Sequence, residues 1–182
     1  MQFRVSASTA PDPSTPAEFL ALPAIAPLPP ETRVRRLALL EHMHSLGEGG
    51  PTAALLGSVD ADPADGPAGT THLMWMDPVT ENPSLGDTEV WEVYNLTADA
   101  HPVHIHEVAF EVVDRQPITV VDGFVDLDPD SPRTPPLPGE TGRKDTVIAY
   151  PEQVTRVRAT FGMAGQYVWH CHIVEHEDNE MM

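Results

Sequence analysis

Only one cysteine, Cys171, occurs in the 182 residues of this chain. A single thiol excludes an intramolecular disulfide framework, so Cys171 is a buried bystander, a nucleophile or a metal ligand. Basic residues are also scarce: 10 lysines and arginines stand against 28 acidic residues, a formal charge of -18 with the histidines neutral. Nucleic-acid phosphates demand a basic patch that this balance does not supply. The acidic surface fits a solvated protein. No apolar run approaches the length that spans a bilayer. The N-terminus lacks the basic-then-apolar pattern of a secretory signal, and the compartment is left open. No internal repeat is visible. The length suits one full-sized core with tails.

What is present changes texture along the chain. Met1 to Ala7 alternates loosely and reads as a short strand. Pro11, Pro13, Pro16, Pro23, Pro27, Pro29 and Pro30 then mark a linker or extended arm, because proline at that density breaks both helices and ladders. Arg33 to His44 fits either a helix or a strand. Ser58 to Thr71, rich in Gly, Pro, Asp and Ala, reads as loop. From Glu89 onward short strands recur, at Glu89 to Tyr94, Val108 to Val113, Asp145 to Tyr150, Val154 to Phe161 and Gln166 to Trp169. The proline-rich run Asp126 to Gly142 reads as a long surface loop. Short strands separated by turn signals point to a β-sandwich or barrel.

Six of the nine histidines fall in two clusters. The first is His101, His104 and His106; the second is His170 and His172 around Cys171, with His176 following. Met181 lies five residues beyond. Alternation along a strand sorts these side chains. His170 and His172 share one face, and the Cys171 thiolate points the other way. His104 and His106 share a face, and His101 falls opposite them, although Pro102 makes that step less regular. Cys171 and His101 thus define one site, to which His176 and Met181 can add an imidazole and a soft axial ligand. A His₂Cys set with a weak methionine is the electron-transfer copper arrangement. The other face offers His104, His106, His170 and His172 without sulfur. Zinc also takes His and Cys, but it does not need Met181, and structural zinc sites usually recruit more than one cysteine. Parity does not decide between His172 and His176: they join different sites only if the chain turns just after the strand. His72 reads as an ordinary histidine, and His42-Met43-His44 has ligand spacing without a Gly, Trp or Cys context.

HPVHIH at residues 101–106, together with WHCHIVEHEDNEMM at residues 169–182, resembles the two C-terminal copper motifs of multicopper oxidases, above all bacterial spore-coat laccases and bilirubin oxidases. The surrounding text matches as well, in Met1-Gln-Phe-Arg-Val, Asp77-Pro-Val-Thr-Glu-Asn-Pro, Lys144-Asp-Thr and Thr160-Phe-Gly. The resemblance implies an all-β, cupredoxin-like Greek-key β-sandwich with a Pro-rich N-terminal arm and a short C-terminal helix or turn. It places residues 31–182 in a C-terminal cupredoxin domain and residues 1–30 in a remnant of the preceding domain plus linker. It assigns His101, Cys171, His176 and axial Met181 to a type 1 copper, His104 to a type 2 copper, and His106, His170 and His172 to a type 3 pair. It implies a small reductant (a phenol, a bilirubin-like pigment or a metal ion) that donates electrons near His176. Electrons then pass through Cys171 to a trinuclear centre that reduces O2 to water.

The family's trinuclear centre takes further histidines from an N-terminal domain, in two more HxH motifs; these are absent here, and His42 and His44 could at most mimic one of them. The expectation is therefore a fragment or shortened product whose partners include the missing N-terminal cupredoxin domains, with Met1 to Ala7 loosely docked or disordered. Two rival readings are a stand-alone single-copper electron carrier and assembly of the second site between two chains. Glu177 is the candidate proton donor for oxygen reduction, while Glu175, Asp178 and Glu180 are explained as solvated charges.

Overall fold

A computed structural model describes residues 2–7, 10–43 and 51–182. Eleven strands dominate the described residues: β1 (Arg33–Met43), β2 (Pro51–Val59), β3 (Thr70–Leu73), β4 (Thr88–Asn95), β5 (His101–Ile105), β6 (Glu111–Pro117), β7 (Thr119–Val121), β8 (Phe124–Asp126), β9 (Thr146–Ala149), β10 (Gln153–Thr160) and β11 (Trp169–Cys171). One short helix, α1 (Val174–Glu177), follows the last strand. Six strands form a sheet in the order β3-β2-β1-β4-β10-β6, and three form a second in the order β11-β5-β9. Hairpin β7-β8 stands apart. Connections repeatedly cross between layers: β4, β5 and β6 alternate large, small and large sheet, and β9, β10 and β11 alternate small, large and small. The result is the expected β-sandwich.

Alternation in the strands builds two cores. Leu37, Leu39, Trp91, Val93 and Val157 point from the large sheet toward Val103, Ile105, Val147 and Cys171 of the small one. Trp91 stacks on Phe161, with ring centroids 5.6 Å apart, and meets the edge of Trp169 at 5.8 Å. The reverse face of the large sheet packs Ala38, Tyr94 and Val154 against Ile118, Val125 and Leu127 near the hairpin. Every residue of β4 is consequently buried. Charges on that reverse face are paired: Arg156 donates from Nε to Glu92 at 2.6 Å and from Nη1 to Asp114 at 2.8 Å. Buried charge is tolerated only with such partners.

Several local expectations are corrected, and one left open between helix and strand is decided. Residues 2–7 form no strand and are exposed, because a lone segment has no neighbour to complete a ladder. Arg33–Met43 is a strand: central in the large sheet, it pairs antiparallel with β2 and parallel with β4, and tertiary pairing outweighs its helical propensity. His44 lies outside the described residues. The Ser58–Thr71 loop is flanked more tightly than expected, since β2 runs to Val59 and β3 starts at Thr70. Gly57 is needed there: a Cβ would lie 2.5 Å from the Thr71 carbonyl. The strand expected over Val108 to Val113 begins only at Glu111, after the left-handed Glu107 (φ 73) breaks the ladder. The run Gln166 to Trp169 joins a ladder only at Trp169.

Candidate metal centre

The small sheet brings both histidine clusters together through its register. Val103 pairs with Cys171, His104 with His170, and Ile105 with Trp169. Residues directly opposite share a face. Cys171 therefore lies beside Val103 on the inner, apolar face, and His104 and His170 lie side by side on the outer face. Pro102 does not disturb the alternation, because β5 keeps its pairing with β9 through Pro102 and Ile148.

On the inner face three ligand atoms converge. Cys171 Sγ is 3.6 Å from His101 Nδ1 and 3.8 Å from His176 Nδ1, and the two nitrogens are 3.2 Å apart. His101, Cys171 and Met181 are all fully buried, while His176 is half-buried. Burial, with the neighbouring His176 adding to it, pushes the pKa of His101 down to about 4. Burial also pushes the Cys171 thiol up. A metal ion at this point would reverse that tendency by stabilising the thiolate.

The turn that parity left open is present. After Cys171 the chain leaves the strand at Ile173, and α1 swings His176 back toward His101. Two backbone hydrogen bonds close the loop: the Cys171 N–H donates to the Met181 carbonyl at 3.0 Å, and the Met181 N–H donates to the His176 carbonyl at 3.0 Å. These bonds hold the Met181 backbone against Cys171 and bury its side chain in the same apolar core. His172 stays with the outer cluster, its ring centroid 5.9 Å from His104 and 5.5 Å from His170.

On the outer face His106 Nε2 and His170 Nε2 lie 3.1 Å apart, and His104 joins them as a group able to hold an ion. The outward nitrogens are oriented from behind. His104 Nδ1 sits 2.7 Å from the Asp145 carbonyl, and His170 Nδ1 sits 3.0 Å from the Cys171 carbonyl. A carbonyl only accepts, so each Nδ1 carries the proton and each Nε2 lone pair is free for a metal. Glu177 Oε2 is 3.4 Å from His170 Nδ1, which puts this carboxylate behind the outer cluster. Burial, then the charges of His104 and His170, lowers the pKa of His106. A cavity of about 500 Å³, walled by Trp91, Phe161 and Trp169, touches His106 and does not reach Cys171.

Both donor sets suit the metal that the sequence suggests. A thiol converging with two imidazoles, with a methionine packed in the same core, suits electron-transfer copper, and a cluster of imidazoles suits further copper. His42 and His72, expected to stand aside, meet each other edge-on at 4.9 Å and belong to neither group. Glu180 is more than a solvated charge: it accepts the Trp75 N–H at 2.8 Å and ties the loop after β3 to the C-terminal segment. Two buried polar residues beside the inner cluster, Asn95 and Thr97, belong to none of the sequence motifs. Their signal was two short polar side chains, two positions apart, at the end of an apolar strand.

Comparison with known proteins places this geometry in a family. A laccase of Bacillus subtilis is 49% identical over 111 residues, covering 59% of this chain and 22% of the laccase. Multicopper oxidase LPR1 homolog 1 of rice is 31% identical and covers 100% of this chain and 33% of its own length. The chain thus spans about a fifth of the Bacillus laccases. Among solved structures, a multicopper oxidase from Campylobacter jejuni superimposes on 89% of this chain and 32% of its own with a TM-score of 0.56 at 21% identity, showing the shared fold. A laccase from Pediococcus acidilactici matches 91% of this chain and 29% of its own with a TM-score of 0.54 at 25% identity. The multicopper oxidase family model matches residues 51–182, which with the full-length rice match means that this chain belongs to the multicopper oxidases, a family of copper proteins.

Proposed function

We propose that this chain is the reductant-oxidising part of a laccase-like multicopper oxidase, with residues 31–182 as its cupredoxin domain. The observation that carries this reading is the convergence of Cys171 Sγ with two imidazole nitrogens on one face, one peptide unit from a cluster of imidazoles on the other. His101, Cys171, His176 and Met181 would hold a type 1 copper, His104 a type 2 copper, and His106, His170 and His172 their share of a type 3 pair. Copper bound there would supply one-electron oxidation of a reductant and four-electron reduction of O2 to water.

The chain's own groups divide the remaining work. His176 is the inner-cluster imidazole with an accessible edge, so a phenolic, pigment-like or metal-ion reductant would meet the protein there. Cys171 is covalently continuous with His170 and His172, and this gives electrons a bonded path between faces. The apolar packing of Val103, Ile105 and Trp91 keeps water from the thiolate. Glu177, held behind His170, is placed to pass protons toward the outer face. His106 and His172 leave their outer edges exposed, and histidines from other domains would complete the centre there.

Copper per chain after loading and removal of loose ions tests this reading. About one copper with an intense thiolate-to-copper absorption supports the inner site, with the outer cluster awaiting partner domains. No copper with that absorption overturns it. Four per chain or per dimer would replace partner domains by self-assembly. For Glu177, replacement by Gln in the assembled oxidase should slow O2 reduction and shift its pH profile. An unchanged rate and profile would remove Glu177 from the mechanism.

A further inference from the structure

Three of the histidines above have a nitrogen held from behind, and in two of them a carbonyl decides which nitrogen carries the proton. His101 differs. Its Nε2 faces a hydroxyl, Thr97 Oγ1, at 2.6 Å, and a hydroxyl can donate or accept. If Thr97 donated to Nε2, the imidazole proton would sit on Nδ1. That nitrogen faces Cys171 Sγ and His176 Nδ1, and a protonated Nδ1 cannot bind metal.

The surroundings of Thr97 resolve the ambiguity. Asn95 is fully buried and uses all its hydrogen-bonding capacity. Its Nδ2 donates to the carbonyls of Asp99 at 2.7 Å and Ala149 at 3.0 Å. Its Oδ1 accepts the Thr97 N–H at 2.9 Å. Those partners fix which end of the amide is oxygen, since carbonyls only accept and a backbone N–H only donates. Asn95 Oδ1 also stands 2.8 Å from Thr97 Oγ1, and the Asp99 carbonyl stands 3.1 Å from it. Both are pure acceptors, so the one Thr97 proton has a partner on that side. The Asp99 N–H meanwhile donates to Thr97 Oγ1 at 3.3 Å. Turning the proton toward His101 would leave two buried oxygens facing each other at 2.8 Å without a hydrogen, a costly arrangement.

We infer that Asn95 and Thr97 are positioning residues that lock His101 as its Nε2–H tautomer, leaving the Nδ1 lone pair aimed at the metal position beside Cys171. Asn95 sets the direction of the Thr97 hydroxyl, and Thr97 accepts from His101 Nε2–H. Because Asn95 also grips Ala149 of β9, the same side chain ties the loop before β5 to the sheet that presents Cys171. The part of this inference that concerns metal affinity rests on the copper reading of the inner cluster; the tautomer does not.

The experiment uses the 182-residue chain with Thr97→Val, which removes the hydroxyl at nearly constant volume, and Thr97→Ser, which keeps it. Long-range nitrogen–proton NMR of the metal-free wild type at neutral pH should show His101 protonated at Nε2. The same state is expected in Thr97→Ser, with Nδ1–H becoming populated in Thr97→Val. Titration with Cu(II) against a competing chelator should then show Thr97→Val about 10- to 100-fold weaker, the usual cost of losing a partner behind a ligating histidine, with a shifted thiolate-to-copper absorption. Thr97→Ser should restore both. An Nδ1–H His101 in the wild type overturns the inference whatever copper does. So does a Thr97→Val chain with unchanged tautomer and affinity, or a Thr97→Ser chain as weak as Thr97→Val, which would assign the effect to methyl packing. If Thr97→Val does not fold, the wild-type tautomer and the Thr97→Ser titration decide. An Nε2–H wild type that takes up no copper overturns the copper reading and leaves the tautomer assignment standing.

Discussion

The two faces of the β11-β5-β9 sheet carry the same side-chain type in opposite surroundings. His101, on the inner face, is sealed in the apolar core, with a sulfur beside one nitrogen and a hydroxyl beside the other. His106, five residues on and just past the end of β5, keeps an exposed ring and meets other imidazoles on the outer side. Positions an odd number of residues apart thus meet different surroundings, because the pleat sends them to opposite faces. The inner face is finished by this chain's own C-terminal segment, which folds back until Met181 is bonded to Cys171. The outer face has no such cover among the described residues. One sheet therefore presents a closed group of donor atoms on one face and an open group on the other.

The sharpest way to break this comparison is Cys171→Ser. It should abolish the thiolate-to-copper absorption entirely while leaving any metal bound by the outer imidazoles, as read by copper analysis and absorption of the loaded chain. Loss of the outer-face metal together with the absorption would mean that the two faces are not separate sites. Replacing one histidine at a time comes next. His101→Ala, which opens a buried cavity and strands Thr97, should destabilise the metal-free chain by about 2–4 kcal/mol in urea unfolding.

Acid offers a further contrast. His101 has its pKa lowered from 6.5 to about 4, so the folded chain resists a proton that the unfolded chain accepts. Its contribution to stability is complete above about pH 6.5 and is lost progressively as the pH falls toward about 4, by about 3 kcal/mol at most. Unfolding of the metal-free chain across that window should show this slope, and His101→Ala should flatten it. A slope that survives the substitution would place its origin elsewhere. The smallest effect is expected for His106→Ala, within about 0.5 kcal/mol of wild type because its ring is exposed. A large loss there would show that the outer face is as tightly built as the inner one.

Much of this was legible before any fold was known. Alternation alone separated Cys171 from His170 and His172, and His101 from His104 and His106; the strand register and the contacts among the outer rings agree with that division. Other features depended on distant partners. Pro51–Val59 shows no strand alternation in its sequence, yet it pairs with β1 and β3, where Gly57 lets the neighbouring backbone approach. The start of β6 is delayed by one left-handed residue, Glu107. The latch between Glu180 and Trp75 joins residues more than a hundred positions apart, and no local pattern announces it.

The sequence by itself determined the donor groups on offer and the face on which each strand residue stands, since both follow from side-chain chemistry and a backbone period of two. Only the tertiary structure decided that His176 joins Cys171 while His172 does not, and that Thr97 stands behind His101. Those choices depend on where the chain turns after Ile173 and on how Met181 docks beneath Cys171, and a turn of that kind is set by what it packs against.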